Sequence, residues 1–129
     1  MSGPARAISL PGDPLAAYHF SPAWQVGDLL FVSGQASIGA DGSIVGADDF
    51  DAQLEQTFAN LARVLEAGGS DLSKVVKVTI YLTDMANFPK IVEARAKWFT
   101  APYPADTTVG VTTLALPELM VEIEAIARV

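Results

Sequence analysis

Cysteine is absent from the 129 residues, and histidine occurs once, at His19. Without cysteine there is no disulfide framework, no thiol nucleophile and no thiolate zinc site. A single histidine excludes multi-histidine metal centres. A Ser-His-Asp relay would have to run through His19, and no nucleophile-elbow motif accompanies it. Charge is sparse: 18% of residues are charged, and 8 basic against 15 acidic residues leave a net charge of −7. That balance argues against nucleic acid as a partner, because phosphate recognition needs a basic footprint. No apolar run reaches the ~20 residues of a membrane-spanning helix, and no stretch reads as a signal peptide. These absences predict a cytoplasmic protein with no membrane partner. What is plentiful is apolar: 50% of the residues are hydrophobic. The length predicts one domain, residues 1–129, burying roughly two thirds of its unfolded surface. So high an apolar fraction predicts that oligomer interfaces absorb part of it.

Gly3, Pro4, Pro11, Gly12 and Pro14 leave room near the N-terminus for one short edge strand, around Arg6–Leu10. The stretch to Gly27 reads as irregular. Its Tyr18, His19, Phe20, Ser21 and Trp24 either wall a pocket or cover the end of a sheet. Leu29–Gln35, LLFVSGQ, reads as an apolar strand in which Gly34 lets a ligand or another backbone come close. Asp41-Gly42 marks a tight turn. Asp48, Asp49 and Asp51 suit the positive end of a helix dipole. Leu54, Phe58, Leu61 and Leu65 then make one apolar stripe, and Gly68-Gly69 ends the helix. Val75–Leu82 reads as a central strand, with Val76, Val78, Ile80 and Leu82 on one face and Val75, Lys77, Thr79 and Tyr81 on the other. A second helix runs from Asn87 or Phe88 to Phe99, with Pro89 in its first turn. Phe88, Ile91, Val92, Trp98 and Phe99 form its expected buried side.

The segment from Pro104 to Val129 reads as two strands joined by a leucine-rich loop. In the second, Val121, Ile123, Ala125 and Ala127 alternate with Glu122, Glu124, Ile126 and Arg128. One face is apolar throughout. The other mixes two carboxylates with Ile126, as befits a covered face or a pocket wall rather than open water. The order β-β-α-β-α-β-β predicts an α+β domain in which two helices cover one face of a mixed sheet. The half-apolar opposite face predicts copies meeting around a closed symmetry axis.

Taken together, these segments resemble the reactive intermediate deaminase (RidA/YjgF) family. Val26-Gly27-Asp28-Leu29-Leu30-Phe31-Val32-Ser33-Gly34-Gln35 is similar to the family's first strand motif. Gln53 with Asn60-Leu61, Val75-Val76-Lys77 with Thr79, Pro104-Ala105, and the closing Val121–Ala127 follow in family order, from about Phe20 to the C-terminus. The resemblance implies a chorismate-mutase-like fold assembled as a homotrimer with clefts between subunits. It also implies hydrolysis of enamine and imine intermediates, such as 2-aminoacrylate and its imine, to a keto acid and ammonia, with no metal or organic cofactor.

Residue by residue, Glu122 falls on the family glutamate that holds or activates the water, and Ser33 and Gly34 on positions lining the cleft. Phe20 stands where the family usually has tyrosine, so a ring wall survives without its hydroxyl. Asp106 is the main departure. After Pro-Ala, deaminating members carry an arginine that grips the substrate carboxylate through its forked guanidinium, and an aspartate there would repel it. The resemblance therefore points to an enzyme acting on an imine or enamine other than a simple 2-imino acid. Glu122 is its catalytic candidate, and Ser33, Gly34, Phe20, Asp106 and Thr107 are its substrate-binding candidates. Asp106 either receives an amine or caps a turn beside Thr107 and Thr108. Glu124 reads as structural, paired with Lys77 across the sheet. Arg95 and His19 are further side chains that could reach the cleft. A trimer that holds a small amine-containing metabolite without turning it over is the alternative. An endoribonuclease or translation inhibitor, after an older label of the family, sits poorly with the acidic balance.

Overall fold

Local sequence sets eight elements: β1 (Arg6–Ile8), β2 (Ala23–Val26), β3 (Leu29–Gln35), α1 (Phe50–Ala67), β4 (Val75–Leu82), α2 (Phe88–Trp98), β5 (Ala105–Gly110) and β6 (Val121–Arg128). They belong to a computed structural model that describes residues 4–129. The strands form one sheet in the order β1-β2-β3-β6-β4-β5. β6, with its unbroken apolar face, takes an inner position, antiparallel to β3 on one side and to β4 on the other. β4 and β5 pair in parallel, and α2 provides the crossover that a parallel pair requires. β5 and β6, consecutive in sequence, are thus separated by β4.

Both helices contribute to one core. Phe58, Leu61 and Leu65 of α1 and Ile91 and Ala94 of α2 join Leu30, Val78, Ile80 and Ile123 of the sheet. Asp49 caps α1, its Oδ1 accepting from the Ala52 N–H at 3.1 Å, a contribution of about 1 kcal/mol. Gly69, at φ 80°, takes the left-handed position just after the helix. Trp98 of α2 stacks on Phe58 with ring centroids 5.2 Å apart, and Phe99 meets the same ring edge-on.

Three details depart from the expected layout. β2 falls in the stretch read as irregular, so the sheet has one strand more than expected. It is short and follows Pro22, but it hairpins with β3 through Gly27-Asp28. Gly27, at φ 58°, supplies the positive φ of the first position of a type II′ turn. In β4 the register against β6 slips between Val75 and Lys77. That irregularity turns Val75 into the core and leaves Val76 exposed, the reverse of strict alternation; from Lys77 onward the alternation holds. In α2, Ile91 and Ala94 face the core while Phe88 and Val92 stay 36% and 48% exposed. The small Ala94 allows the helix to approach the sheet, and Phe88 instead lies under the Arg95 guanidinium, 5.4 Å from it.

The sheet face away from the helices carries Trp24, Phe31 and Ile126 in one cross-strand row. Val26 and Leu29 form the next pair. Trp24, Phe31, Val26 and Leu29 are all exposed.

Candidate functional site

The ladder between β3 and β6 breaks at one place. Val32 pairs with Ala125 and Gln35 with Ile123, so Ser33 and Gly34 together stand opposite Glu124 alone. Such a bulge bends a strand and re-aims its side chains. The Ser33 N–H donates to the Pro22 carbonyl at 2.9 Å. Its hydroxyl donates to the Ser21 carbonyl at 2.6 Å, and Gln35 Nε2 donates to the Ser33 carbonyl at 3.0 Å. The Glu122 carboxylate lies directly over Gly34. A Cβ on Gly34 would stand 2.3 Å from Glu122 Oε2 and 2.8 Å from its Cδ. Gly34 is therefore glycine because a carboxylate occupies the place of its side chain.

These residues open into a cleft of about 530 Å³. Leu15, Tyr18 and Phe20 wall one side; Ala36 and Ile38 continue from β3; Ala115, Leu116 and Leu119 close it from the loop before β6. Two buried amides of α1 hold these walls. Asn60 Nδ2 donates to the carbonyls of Ala36 and Ile38, both at 2.8 Å. Gln53 Nε2 donates to the Glu118 carbonyl at 2.9 Å and the Gly46 carbonyl at 3.0 Å. Its Oε1 accepts the Met120 N–H at 2.9 Å. The amides anchor loop backbone that no strand ladder satisfies.

Burial pushes the Glu122 carboxyl above the ordinary glutamate range, and the neighbouring charge of Glu124 adds to the rise. Among the described residues, no donor reaches the Glu122 carboxylate. Glu124 does not pair with Lys77 as expected. It accepts the Tyr81 hydroxyl at 2.5 Å, whereas Lys77 Nζ donates to Thr107 Oγ1 at 2.9 Å and to the Val78 carbonyl. The register explains the change: Glu124 stands across from Thr79, while Lys77 stands across from Ile126. Hydrogen bonding to Glu124 in turn raises the Tyr81 hydroxyl above its ordinary pKa, with burial adding.

Of the residues singled out from sequence, Glu122, Ser33, Gly34 and Phe20 meet in this cleft. Asp106 and Thr107 do not line it. Asp106 is in register with Val78, on the helix side of the sheet. Its Oδ2 pairs with Arg95 Nε at 2.9 Å, and its Oδ1 accepts the Thr108 hydroxyl at 2.7 Å. Arg95 also donates to Thr108 Oγ1 at 3.0 Å, so it is engaged away from the cleft. Thr107 sits on the opposite sheet face, bonded to Lys77. His19 borders a separate depression with Ala7, Ser9 and Asp13. Trp24 belongs to the apolar row of the sheet. Sequence reasoning missed Leu15, Ile38, Leu116 and Leu119 as cleft walls. The leucine-rich run before β6 was the signal for Leu116 and Leu119; Leu15 and Ile38 had none. Among the described residues, no group of three or more His, Cys, Asp or Glu stands close enough to hold a metal. Among the described residues, no helix is long and apolar enough to cross a membrane.

The chain as a whole has close counterparts among known proteins. Residues 11–129 match the family described as endoribonuclease L-PSP. A protein of Dermatophagoides farinae named 2-iminobutanoate/2-iminopropanoate deaminase is 36% identical over 123 residues, covering 95% of each chain. A RutC family protein of Sinorhizobium fredii is 44% identical over 121 residues, 92% of this chain and 94% of that one. The crystal structure of RidA from an Antarctic Psychrobacter superposes with a TM-score of 0.88 at 33% identity, covering 96% of this chain and 99% of that one. The chain belongs to this endoribonuclease L-PSP family, the RidA/YjgF proteins, whose named members include reactive intermediate deaminases.

Proposed function

We propose that the chain hydrolyses a reactive enamine or imine to a carbonyl compound and ammonia, without a metal or organic cofactor, and that Glu122 moves the protons. The observation that carries this reading is the Glu122 carboxylate, raised by burial, set over Gly34 at an apolar cleft of small-molecule size. An imine carbon is already electrophilic, so the site has only to seat it, place a water and transfer protons. Glu122 takes a proton from water as the C–O bond forms and passes it to the imine nitrogen, giving a neutral carbinolamine. Ionised again, Glu122 takes the carbinolamine hydroxyl proton as the C=O bond forms and delivers it to the amine as the C–N bond breaks. Ammonia leaves and the glutamate is back in its ionised form. An enamine enters the same sequence after protonation at carbon.

The substrate class follows from what surrounds the acid. Among the described residues, no cationic side chain lines the cleft, and the Asp106–Arg95 pair satisfies itself. A substrate carboxylate would meet apolar walls and Glu122. This supports an apolar imine rather than a simple 2-imino acid, and sets the chain apart from the substrate named for the mite relative. The exposed Trp24 and Phe31, in one row with Ile126, support assembly through the open sheet face, as a homotrimer.

Ammonia release from freshly generated imines tests the proposal, with imines of branched aliphatic aldehydes set against 2-iminopropanoate. Faster turnover of the aliphatic imines, abolished by Glu122→Gln, is expected. No ammonia above the uncatalysed rate, or equal turnover by Glu122→Gln, would overturn it. A ligand retained in native mass spectrometry without product formation would favour the metabolite-binding reading instead.

A further inference from the structure

Three side chains bring polar atoms to the cleft: Ser33, Glu122 and Tyr18. Two of them have no proton to spare for a ligand in the ionised resting site. The Ser33 hydroxyl proton goes to the Ser21 carbonyl, so its oxygen is left as an acceptor. An ionised carboxylate accepts only. Tyr18 differs. It is 63% exposed, and among the described residues its hydroxyl makes no hydrogen bond. An imine nitrogen, or the carbonyl oxygen that replaces it, carries a lone pair and asks for a donor.

The backbone holds Tyr18 in place by means unrelated to its ring. Ala16–Tyr18 form a single 3-10 turn. The Asp13 carboxylate accepts the Leu15 N–H at 2.9 Å, and the Tyr18 N–H donates to the Leu15 carbonyl at 3.0 Å. Residues three apart share a side of such a turn, so Leu15 and Tyr18 face the cleft together. His19 then adopts φ 64°, a left-handed conformation uncommon outside glycine. That reversal brings Phe20 onto the same wall.

We propose that Tyr18 is the hydrogen-bond donor of the cleft, giving its phenolic O–H to the substrate nitrogen and then to the product carbonyl oxygen while Glu122 handles the water. The assignment rests on the imine reading for the reaction but on the donor inventory for the residue. Tyr18→Phe keeps the wall and removes only the O–H. In the full chain it lowers kcat/KM for an aliphatic imine at least tenfold and leaves the Tm and the Glu122-dependent pH limb in place. Tyr18→Phe turning over as wild type while Glu122→Gln is inactive overturns the assignment.

A second measurement needs no turnover. Isovaleramide presents a C=O acceptor on a branched aliphatic chain and is followed by NMR titration. Tyr18→Phe binds it about fivefold or more weakly, in line with one lost hydrogen bond. Equal affinity, or no binding to the wild type, overturns the donor role whether or not any imine is hydrolysed. A chain that releases no ammonia yet loses amide affinity in Tyr18→Phe refutes the reaction and keeps the donor.

Discussion

Gly34→Ala separates the acid from the fold. The alanine Cβ would stand 2.3 Å from Glu122 Oε2, 2.8 Å from Cδ and 3.1 Å from Cγ. Contacts of that length are not tolerated, so the carboxylate has to move by about 1 Å, and a misplacement of that order costs roughly 10²-fold in rate. Stability should hardly respond. Gly34 is not in the left-handed region, and the displaced atoms are the free end of a flexible side chain. A rotamer penalty of about 0.5–1.5 kcal/mol is offset by about 0.5–1 kcal/mol from replacing a strand glycine. Gly68→Ala provides the opposite case. Its Cβ would meet Leu30 Cδ2 at 2.5 Å and Cδ1 at 2.8 Å, inside the core, and overpacking there costs about 1–3 kcal/mol. The two variants are compared by thermal melts and by ammonia release from an aliphatic imine. Gly34→Ala should melt near wild type with kcat down about 100-fold; Gly68→Ala should melt lower with kcat intact. Full activity in Gly34→Ala, or a fall in Tm as large as that of Gly68→Ala, would refute the link between this glycine and the acid.

Gln53→Ala leaves the Glu118 and Gly46 carbonyls and the Met120 N–H without their partner. At about 1–3 kcal/mol per buried orphan, with water relieving part, a loss of about 3 kcal/mol is expected in urea unfolding, with faster amide exchange at Met120. A double-mutant cycle with Arg95→Ala and Asp106→Ala should show a coupling of about 1–3 kcal/mol, and removing both should leave kcat on an aliphatic imine unchanged. Because folding raises the Glu122 pKa, the folded chain holds that proton more tightly than the unfolded one. The resulting stability is present at acid pH and is lost as pH rises from the ordinary carboxylate range through the raised value. The Tm of Glu122→Gln relative to wild type should therefore improve between pH 4 and pH 8. Glu124→Gln, by removing the second cause, should move the Glu122 limb of the kcat/KM profile downward.

The parts of the fold visible in the sequence were those whose side-chain period is enforced by burial on one face. β6 is one case, and the Leu54, Phe58, Leu61 and Leu65 stripe of α1 is another. Departures came where one residue decides. An irregular register at the start of β4 exchanged Val75 and Val76. β2, short and placed directly after Pro22, lay inside a stretch read as irregular, although Gly27-Asp28 is the two-residue turn that joins it to β3. A small residue, Ala94, took the core position that size alone would have given to Phe88 or Val92. At the site, Glu122, Ser33 and Gly34 were legible through a motif, but the bulge that joins them depends on pairing between strands distant in sequence. The same holds for Asp106. Its partner Arg95 lies on α2, and only the β4–α2–β5 crossover brings the two together.

The two tryptophans sit in opposite circumstances, and this gives the molecule a pair of built-in optical reporters. Trp98, stacked on Phe58 and packed half-buried against the core, loses that contact on unfolding, so its fluorescence follows loss of the fold. Trp24, on the bare side of the sheet, responds to whatever comes to lie against it. In a chain carrying Trp98→Phe, a blue shift of the remaining emission on raising concentration would signal that copies had docked there. In one carrying Trp24→Phe, the emission should stay constant over the same dilution series.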